Sequence, residues 1–352
     1  MCWMITGEWE PPHQHTASEK MTFHVVLSCQ VGSGAQEEER MEPLKENISS
    51  HTFFIFSGFT ELGALRPLFF APLLVLFVVS LFANTLLLHV IISRRSLHSP
   101  MYILIGGMAG VDLIQPMLVL PTLMLSIVSD QRGVSLSGCL VQMYFVQLLG
   151  TCQSTLLLWM ALDRYFAICT PLYYHERMSV RRFLKFVVLF LVRNVFLVSV
   201  VVSLAGRLSF CSSHVINHCF CEHMALVELA CGSTSINSLV GLVAVFLVTV
   251  FDFFIVISYM LIFHSALRSG KSGAKALHTC TTHIIVMVVG LTFVLTAFLS
   301  YRLGNRLPGA GRVSVSIMYL FLPSCFNPII YGVRTTEIRQ HILKMLSSSR
   351  PV

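Results

Sequence analysis

An acidic and a basic residue stand side by side in the tripeptide Asp163-Arg164-Tyr165, directly after a long uncharged run, residues 133–162. Placing an ionisable side chain at the edge of a lipid bilayer costs free energy, so the pair indicates a functional site. Asp163 could hold Arg164 at rest and release it toward a partner in the cytosol when helices move. The alternative is a helix end whose charged side chains simply reach the lipid headgroups.

A second polar group lies inside an apolar run near the carboxyl end of the chain, at residues 327–331 (NPIIY). Pro328 removes a backbone donor, and Asn327 can bond the loosened backbone; a plain proline kink is the alternative. Asp112 and Asn84, in two earlier runs, could face Asn327 across a helix bundle. Such a polar cluster could hold water or a small cation such as sodium, or it could be a purely structural hydrogen-bond network.

Four small or polar residues recur at spacings of three and four in the run 133–162, which places them on one face of a helix. They are Gln147, Gly150, Thr151 and Ser154. A ligand pocket in a helix bundle is mostly apolar with a few polar groups, so this is the predicted binding face. Helix–helix packing, which small residues favour in membranes, is the alternative and applies best to Gly150.

Arg302, at the end of a later apolar run, is the cation expected to reach that pocket. Its guanidinium could bind a carboxylate with paired hydrogen bonds. Phe298 and Val294, one and two turns before it on the same face, could pack an aliphatic ligand. The alternative is an ordinary loop arginine with no specific role.

The composition indicates which elements must position these residues. Hydrophobic residues make up 55% of the 352 and charged residues only 12%, against about 25% charged in a soluble domain. This excludes an ordinary soluble globule and a disordered chain. A helix of about 20 apolar residues crosses a membrane, and seven runs reach that length: residues 68–92, 101–129, 133–162, 186–206, 237–263, 284–301 and 313–333. The predicted fold class is therefore an all-α membrane protein, a seven-transmembrane helix bundle.

The distribution of charge predicts the orientation of this bundle. The net charge is +7, but nine of the 17 acids precede residue 62 and the basic residues form short clusters between the spans. That pattern argues against nucleic acid as a partner. The loops after spans 1, 3 and 5 and the tail hold 14 Lys and Arg, whereas the loops after spans 2, 4 and 6 hold five. The positive-inside rule then puts the amino terminus outside and the carboxyl terminus in the cytosol.

Four regions follow from this division. Residues 1–40 are predicted to be a disordered extension, and residues 41–66 an extracellular tail with the glycosylation acceptor Asn47-Ile48-Ser49. The transmembrane domain is residues 67–333. In the cytoplasmic tail, residues 334–352, apolar residues alternate with Arg339 and Lys344, which predicts a short amphipathic helix on the lipids of the inner leaflet.

Five motifs in register make the sequence resemble the rhodopsin-like G-protein-coupled receptors and, within them, the class I (fish-like) branch of the olfactory receptors. They are residues 97–102 (LHSPMY), 160–169 (MALDRYFAIC), 258–259 (SY), 275–283 (KALHTCTTH) and 327–332 (NPIIYG). The resemblance covers residues 45–346 without a large gap.

The resemblance implies a receptor of the plasma membrane with no enzymatic activity and no cofactor. It would bind a small odorant, such as a carboxylic acid, and activate a heterotrimeric G protein of the stimulatory olfactory type that raises cyclic AMP. The residues implied for coupling and switching are Asp163, Arg164, Tyr165, Tyr259, His283, Asn327, Pro328 and Tyr331. The alternatives are a rhodopsin-like receptor for a non-odorant metabolite outside the nose and a small transporter, although no paired inverted repeats are evident.

Five cysteines lie on the predicted outer side, where disulfides form: Cys139, Cys211, Cys219, Cys221 and Cys231. Spacing alone permits several pairings. The resemblance implies the disulfides Cys139–Cys221 and Cys211–Cys231, which leaves Cys219 free. His218 and His223 next to Cys219 and Cys221 could imitate a metal site, but disulfide formation would remove the thiolates, and no metal is expected.

Two features depart from the resemblance or have no firm explanation. Gly106-Gly107 replaces a bulkier pair in span 2 and is expected to loosen local packing. Arg193, inside span 4, could reach the headgroups or pair with Asp252 in span 5.

Overall fold

The computed structural model of the chain describes residues 50–58, 60–128, 133–268 and 309–348, with the single helical positions 281, 284, 288, 292, 295, 296 and 299 between the last two ranges. Five predicted site residues lie outside the described residues: Asn47, His283, Val294, Phe298 and Arg302. The extension at residues 1–40 and most of predicted span 6, residues 284–301, also lie outside them.

Long helices dominate the described part of the chain. The α-helices are α1 (Phe70–Ser93), α2 (Pro100–Val128), α3 (Leu136–Cys169), α4 (Tyr174–Arg177), α5 (Val180–Gly206), α6 (His223–Val227), α7 (Ser235–Arg268), α8 (Gly309–Arg334) and α9 (Thr336–Ser348). Short 3-10 helices span Thr60–Phe69, Arg95–Leu97 and Pro171–Tyr173. The prolines inside α2 and α8 are tolerated because neighbouring helices can satisfy the freed backbone groups.

Six helical segments of the described residues are long and apolar enough to cross a membrane. They are Gly63–Ser93, Pro100–Ile127, Leu136–Cys169, Arg181–Gly206, Ser235–Ser265 and Gly311–Arg334. Predicted spans 1 to 5 and 7 overlap these segments. Large apolar side chains such as Phe186, Phe196 and Phe246 remain exposed on α5 and α7, which suits faces that contact lipid.

A small sheet at one end of the bundle differs from the all-α prediction. The central strand, β1 (Phe53–Phe56), pairs antiparallel with β2 (Gly133–Ser135) and parallel with β3 (Val215–Ile216). Phe54 in β1 is fully buried and stacks edge-on against Phe210 at 5.3 Å between ring centroids. Strands of two to four residues are too short for a period-two pattern to stand out in the sequence. We call this sheet with residues 207–234 the cap.

The two glycines of α2 do not loosen its packing, contrary to the expectation from the sequence. A Cβ atom at Gly107 would lie 3.3 Å from Leu156 Cδ2 on α3, and one at Gly106 would lie 3.6 Å from Ile91 Cγ2 on α1. The missing side chains therefore allow α2 to lie close to α1 and α3, as small residues do in membrane helix pairs.

Candidate functional site

One disulfide holds the cap on the end of the bundle where α3 begins, which we call the cap end, and a second closes a loop within the cap. Cys139 in the first turn of α3 is bonded to Cys221, with 5.3 Å between their Cα atoms, and Cys211 is bonded to Cys231, with 5.7 Å between theirs. This is the pairing that the resemblance implies. Cys219 is buried and belongs to neither disulfide.

Gln142 on α3, which the sequence analysis did not identify, connects the Cys139–Cys221 disulfide to α2. Its Oε1 accepts a hydrogen bond from the backbone N–H of Cys221 at 2.9 Å. Its Nε2 donates to the Leu118 carbonyl and to Thr122 Oγ1 on α2, both at 2.8 Å. Its position one turn after Cys139 was the signal that could have revealed it, because a side chain there lies under the disulfide.

Buried ionisable groups lie inside the cap. Burial, together with the charge of Arg312, lowers the pKa of His218 to about 3. Burial raises the pKa of Glu222 to about 7, against the hydrogen bonds that its carboxylate accepts from the backbone at the start of α6. Within the described ranges, no group of three or more His, Cys, Asp or Glu residues could hold a metal ion. Cys221 of the hypothetical metal set is in a disulfide.

Arg312 lies deeper than the sequence suggested. Predicted span 7 begins at residue 313, which leaves Arg312 in the loop before it, but α8 begins at Gly309 and Arg312 is only 8% exposed. Its charge acts on His218 and Glu228 of the cap. The first turn of this helix contains two glycines in residues 309–311. Glycine is a poor helix former and adds little apolar character, so the apolar run in the sequence begins after this turn.

The predicted binding face on α3 lies below the cap. Gln147, Gly150, Thr151 and Ser154 are all partly buried. The Thr151 hydroxyl donates to the Leu148 carbonyl of its own helix at 2.9 Å. A Cβ atom at Gly150 would meet no described atom within 4 Å, so close packing against the described helices is not the reason for a glycine there.

The predicted polar cluster contains a fully buried Asp112. Asn327 Nδ2 on α8 donates to Asp112 Oδ2 at 2.9 Å. Asp112 Oδ1 accepts from Gln153 Nε2 on α3 at 2.8 Å and from Ser324 Oγ at 3.4 Å. The prediction thus found Asp112 and Asn327 but missed Gln153 and Ser324.

Asn84 joins the same cluster indirectly. Its Nδ2 donates to the Ser324 carbonyl at 2.8 Å and to the Ser80 carbonyl at 2.9 Å. Asn84 Oδ1 and Asn327 Oδ1 are buried and have no hydrogen-bond partner within the described ranges. Such acceptors are where a buried water would be expected.

At the opposite end of α3, Asp163 is held by two side chains. Arg164 Nε lies 3.7 Å from Asp163 Oδ2, and the Tyr174 hydroxyl of α4 donates to Asp163 Oδ1 at 2.9 Å. Asp163 is almost fully buried, whereas 24% of the Arg164 side chain is exposed. Burial and the neighbouring Asp163 raise the pKa of Tyr174 to about 12, so its hydroxyl stays a donor at neutral pH. The sequence reasoning did not include Tyr174.

The other predicted switch residues lie in two apolar clusters near this end. Tyr259 on α7 is buried against Leu158 and Ala161 of α3, and Tyr165 packs at the edge of that cluster. Tyr331 is buried on α8 in a separate cluster that includes Ile338 of α9. Pro328 is buried within α8. These residues are therefore placed where a movement of α7 or α8 relative to α3 would disturb their packing.

The helix after the bundle, α9, contacts the first turn of α2 and the loop before it. The Tyr102 hydroxyl donates to Glu337 Oε2 at 2.5 Å, and Ser96 Oγ lies 3.5 Å from His341 Nε2. Ile338 is fully buried, whereas Leu343 is 57% exposed.

Comparison with known proteins identifies the family. The olfactory receptor family model matches residues 73–349. Human olfactory receptor 51F2 is 34% identical over 309 residues, which are 87% of this chain and 90% of that protein. Human olfactory receptor 52P1 is 34% identical over 88% of this chain and 97% of that protein. Mouse olfactory receptor 51E2 is 35% identical over 85% of this chain and 95% of that protein. The resemblance seen in the motifs is confirmed: this chain belongs to the olfactory receptor family of G-protein-coupled receptors, which are not enzymes.

Proposed function

We propose that the chain is an odorant-activated receptor that binds a small carboxylic acid beneath the cap and activates a stimulatory olfactory-type G protein, which raises cyclic AMP. One observation carries the proposal: α3 joins the disulfide Cys139–Cys221 at one end to the Asp163–Arg164 pair at the other. A ligand on the α3 face between them can therefore act on the switch through a single rigid helix.

The orientation follows from the same helix. The cap disulfides form in an oxidising compartment, which supports an orientation with the cap end outside and the Asp163–Arg164 pair in the cytosol. The excess of Lys and Arg in the loops on the Arg164 side supports this orientation. In this arrangement Asn47 would carry its glycan outside, and the basic residues of α9 would lie on inner-leaflet lipids.

The pocket we propose has two walls. Gln147, Gly150, Thr151 and Ser154 on α3 form one wall, and they are partly buried below the cap. Val294 and Phe298 would contact the aliphatic part of the ligand from span 6, and Arg302 would bind its carboxylate. His283 would lie at the cytosolic end of the same span, next to the G protein.

The polar cluster is proposed to hold water instead of a sodium ion. A cation would need the Asp112 carboxylate, but donors from Gln153, Ser324 and Asn327 already point at its two oxygens. These three donors occupy most of the roughly four hydrogen-bond sites of a carboxylate, which favours water over a cation there. Replacing sodium with potassium should leave the melting temperature of the purified receptor unchanged, and a sodium-specific rise would contradict this.

The experiment is a cyclic AMP assay on the full chain, expressed in cells with an olfactory-type stimulatory G protein. The panel contains short- and medium-chain carboxylic acids beside alcohols, aldehydes and esters of matched length. Acids should activate the wild type, and Arg302→Ala should abolish that response while surface expression is kept. Arg306→Ala, a nearby arginine, is the matched control and should respond normally.

The other outcomes separate the parts of the proposal. A response to neutral odorants alone would keep the receptor but remove the role of Arg302. Activation by circulating metabolites and by none of the odorants would favour a receptor outside the nose. Silence toward every compound, with the receptor at the surface, would contradict the proposal.

A further inference from the structure

Arg193 and Asn194 are consecutive polar residues in the middle of α5, inside a segment that is otherwise apolar. Polar and charged side chains inside a membrane are costly and face the interior of the bundle or other helices. Asn194 is 1% exposed. The hydrogen bonds that the structure describes for these two side chains join α5 to other helices, at residues outside the site described above.

The two side chains connect α5 to two other helices. Asn194 Nδ2 donates to Thr155 Oγ1 on α3 at 3.0 Å and lies 3.9 Å from Cys152 Sγ. Arg193 Nη2 donates to the Leu247 carbonyl of α7 at 3.2 Å. Arg193 Nη1 donates to Asn194 Oδ1 at 3.3 Å, which links the two contacts.

The chain of hydrogen bonds continues to the binding face. The Thr155 hydroxyl donates to the Thr151 carbonyl at 2.8 Å, and Thr151 belongs to the α3 wall of the proposed pocket. Starting at that wall, the contacts run through Thr155, Asn194 and Arg193 to the backbone of α7. We call Thr155, Asn194 and Arg193 the polar bridge.

The bridge is present together with Arg164 held at Asp163, which is the resting arrangement of the proposed switch. Contacts made in one arrangement stabilise that arrangement. Helix α7 carries Tyr259, buried against α3 near the Asp163–Arg164 pair. The hydrogen bond from Arg193 restrains α7 at Leu247, near the depth of the proposed pocket. Because α7 is one helix, this restraint also affects how Tyr259 packs against α3.

We propose that the polar bridge is a positioning element that holds α7 in its resting place against α3 and α5, and that ligand at Thr151 acts against it. The proposal rests on the proposed receptor function and deepens it, because it names residues that set ligand sensitivity without contacting the ligand. It also explains the arginine in span 4. The expected pairing with Asp252 involves a side chain outside the described residues and stays a prediction; the contact to α7 that the structure describes is with the Leu247 backbone.

The test uses Asn194→Leu, Thr155→Val and the double variant in the full chain, with cyclic AMP and surface expression measured together. Each single variant should raise ligand-independent cyclic AMP and lower the half-maximal odorant concentration by roughly threefold to tenfold, the range that single interhelical hydrogen bonds support. The double variant should match Asn194→Leu, because that variant already removes the bond to Thr155. Arg193→Leu should act in the same direction.

Ser203→Ala is the matched control. Ser203 lies on α5, and in the described part of the chain its hydroxyl donates to the Ser199 carbonyl of the same helix. It should change neither the basal signal nor the half-maximal concentration. A double variant whose effect is the product of the single effects would overturn the proposal. So would single variants that lose surface expression with unchanged sensitivity, since that is what a merely structural role predicts.

Failure of the two proposals can be told apart. A wild type that answers no compound overturns the receptor function, and the bridge falls with it. A wild type that responds, with bridge variants of unchanged basal signal and unchanged sensitivity, overturns the bridge alone.

Discussion

Replacing Gln142 with alanine should loosen the cap, and the structure gives the size of the effect. The amide makes three hydrogen bonds, one to the Cys221 backbone and two to α2 at Leu118 and Thr122. A hydrogen bond contributes about 1 kcal/mol net, and somewhat less between membrane helices. Gln142→Ala should therefore lower the free energy of unfolding by about 2 to 3 kcal/mol.

Two further variants each remove only some of these hydrogen bonds and so show how much each bond contributes to the free energy of unfolding. Thr122→Val removes one of the three bonds and should cost about 1 kcal/mol. Gln142→Glu keeps an acceptor for the Cys221 N–H but loses both donors to α2, so it should lie between the other two. All three variants remove bonds of the same amide. The order of their free energies of unfolding therefore depends on how many bonds each one removes and not on the exact energy of each bond.

The assay is unfolding of the purified receptor in lipid nanodiscs without reductant, so that Cys139–Cys221 stays intact. Odorant response at the cell surface is measured beside it, because a loosened cap should also weaken ligand retention. The reasoning is refuted if Gln142→Ala is no less stable than Thr122→Val. It is also refuted if Gln142→Glu is as stable as the wild type.

Three further predictions follow from the described contacts. Tyr174→Phe removes a donor from the buried Asp163 and should raise ligand-independent cyclic AMP by up to about tenfold; Tyr173→Phe, at a residue that is 58% exposed, should not, and equal signals from the two would contradict the role of Tyr174. Cys211→Ser opens the disulfide to Cys231 and should lower surface expression, whereas Cys219→Ala leaves both disulfides intact and should retain most of it; equal loss in both would argue against this pairing. The raised pKa of Glu222, about 7 instead of 4.5, means that the folded state binds a proton more tightly than the unfolded state, so Glu222 should favour folding below about pH 4.5 and lose that contribution as the pH rises to about 7. Because the lowered pKa of His218 acts in the opposite sense between pH 3 and 6.5, the measurement is the melting temperature of wild type minus that of Glu222→Gln. This difference should fall across pH 4.5 to 7, and a difference that stays constant would contradict the role of Glu222.

The helical part of the fold was accessible from the sequence because its signal is strong. An apolar run of about 20 residues has few other stable forms in lipid, and six described segments overlap predicted spans. Predicted span 6, residues 284–301, is the one span that none of these six segments overlaps, and it stays a prediction. The length of the runs did not reveal where α8 begins, because Gly309 and Gly311 lower the apolar signal in the first turn that carries Arg312.

The cap was missed for a different reason. Its strands contain two to four residues, and β1 pairs with segments that are far away in the sequence, such as Val215–Ile216. No local pattern encodes such pairings. The buried Phe54 becomes recognisable as a core residue only once Phe210 is brought against it.

The site residues divide in a similar way. Asp112, Asn327, Asp163 and Arg164 stood out because charged or amide side chains are rare in apolar runs. Their partners Ser324 and Tyr174 did not, because a serine in a span or a tyrosine in a loop carries no comparable signal. Gln153, an amide inside span 3, carried the same signal and was overlooked. Which donors reach a carboxylate depends on helix rotation and depth, and these are set by packing across the whole bundle.

The measurement that tests the central account most directly is an odorant dose–response on Gly150→Leu. A Cβ atom at Gly150 meets no described atom within 4 Å, and leucine is the better helix former, so the variant should fold and reach the surface normally. Gly150→Ala, which adds one carbon atom, is the matched control. If the α3 face below the cap binds the ligand, Gly150→Leu should lose the response while Gly150→Ala keeps most of it. A full response from Gly150→Leu at normal surface expression would contradict the account.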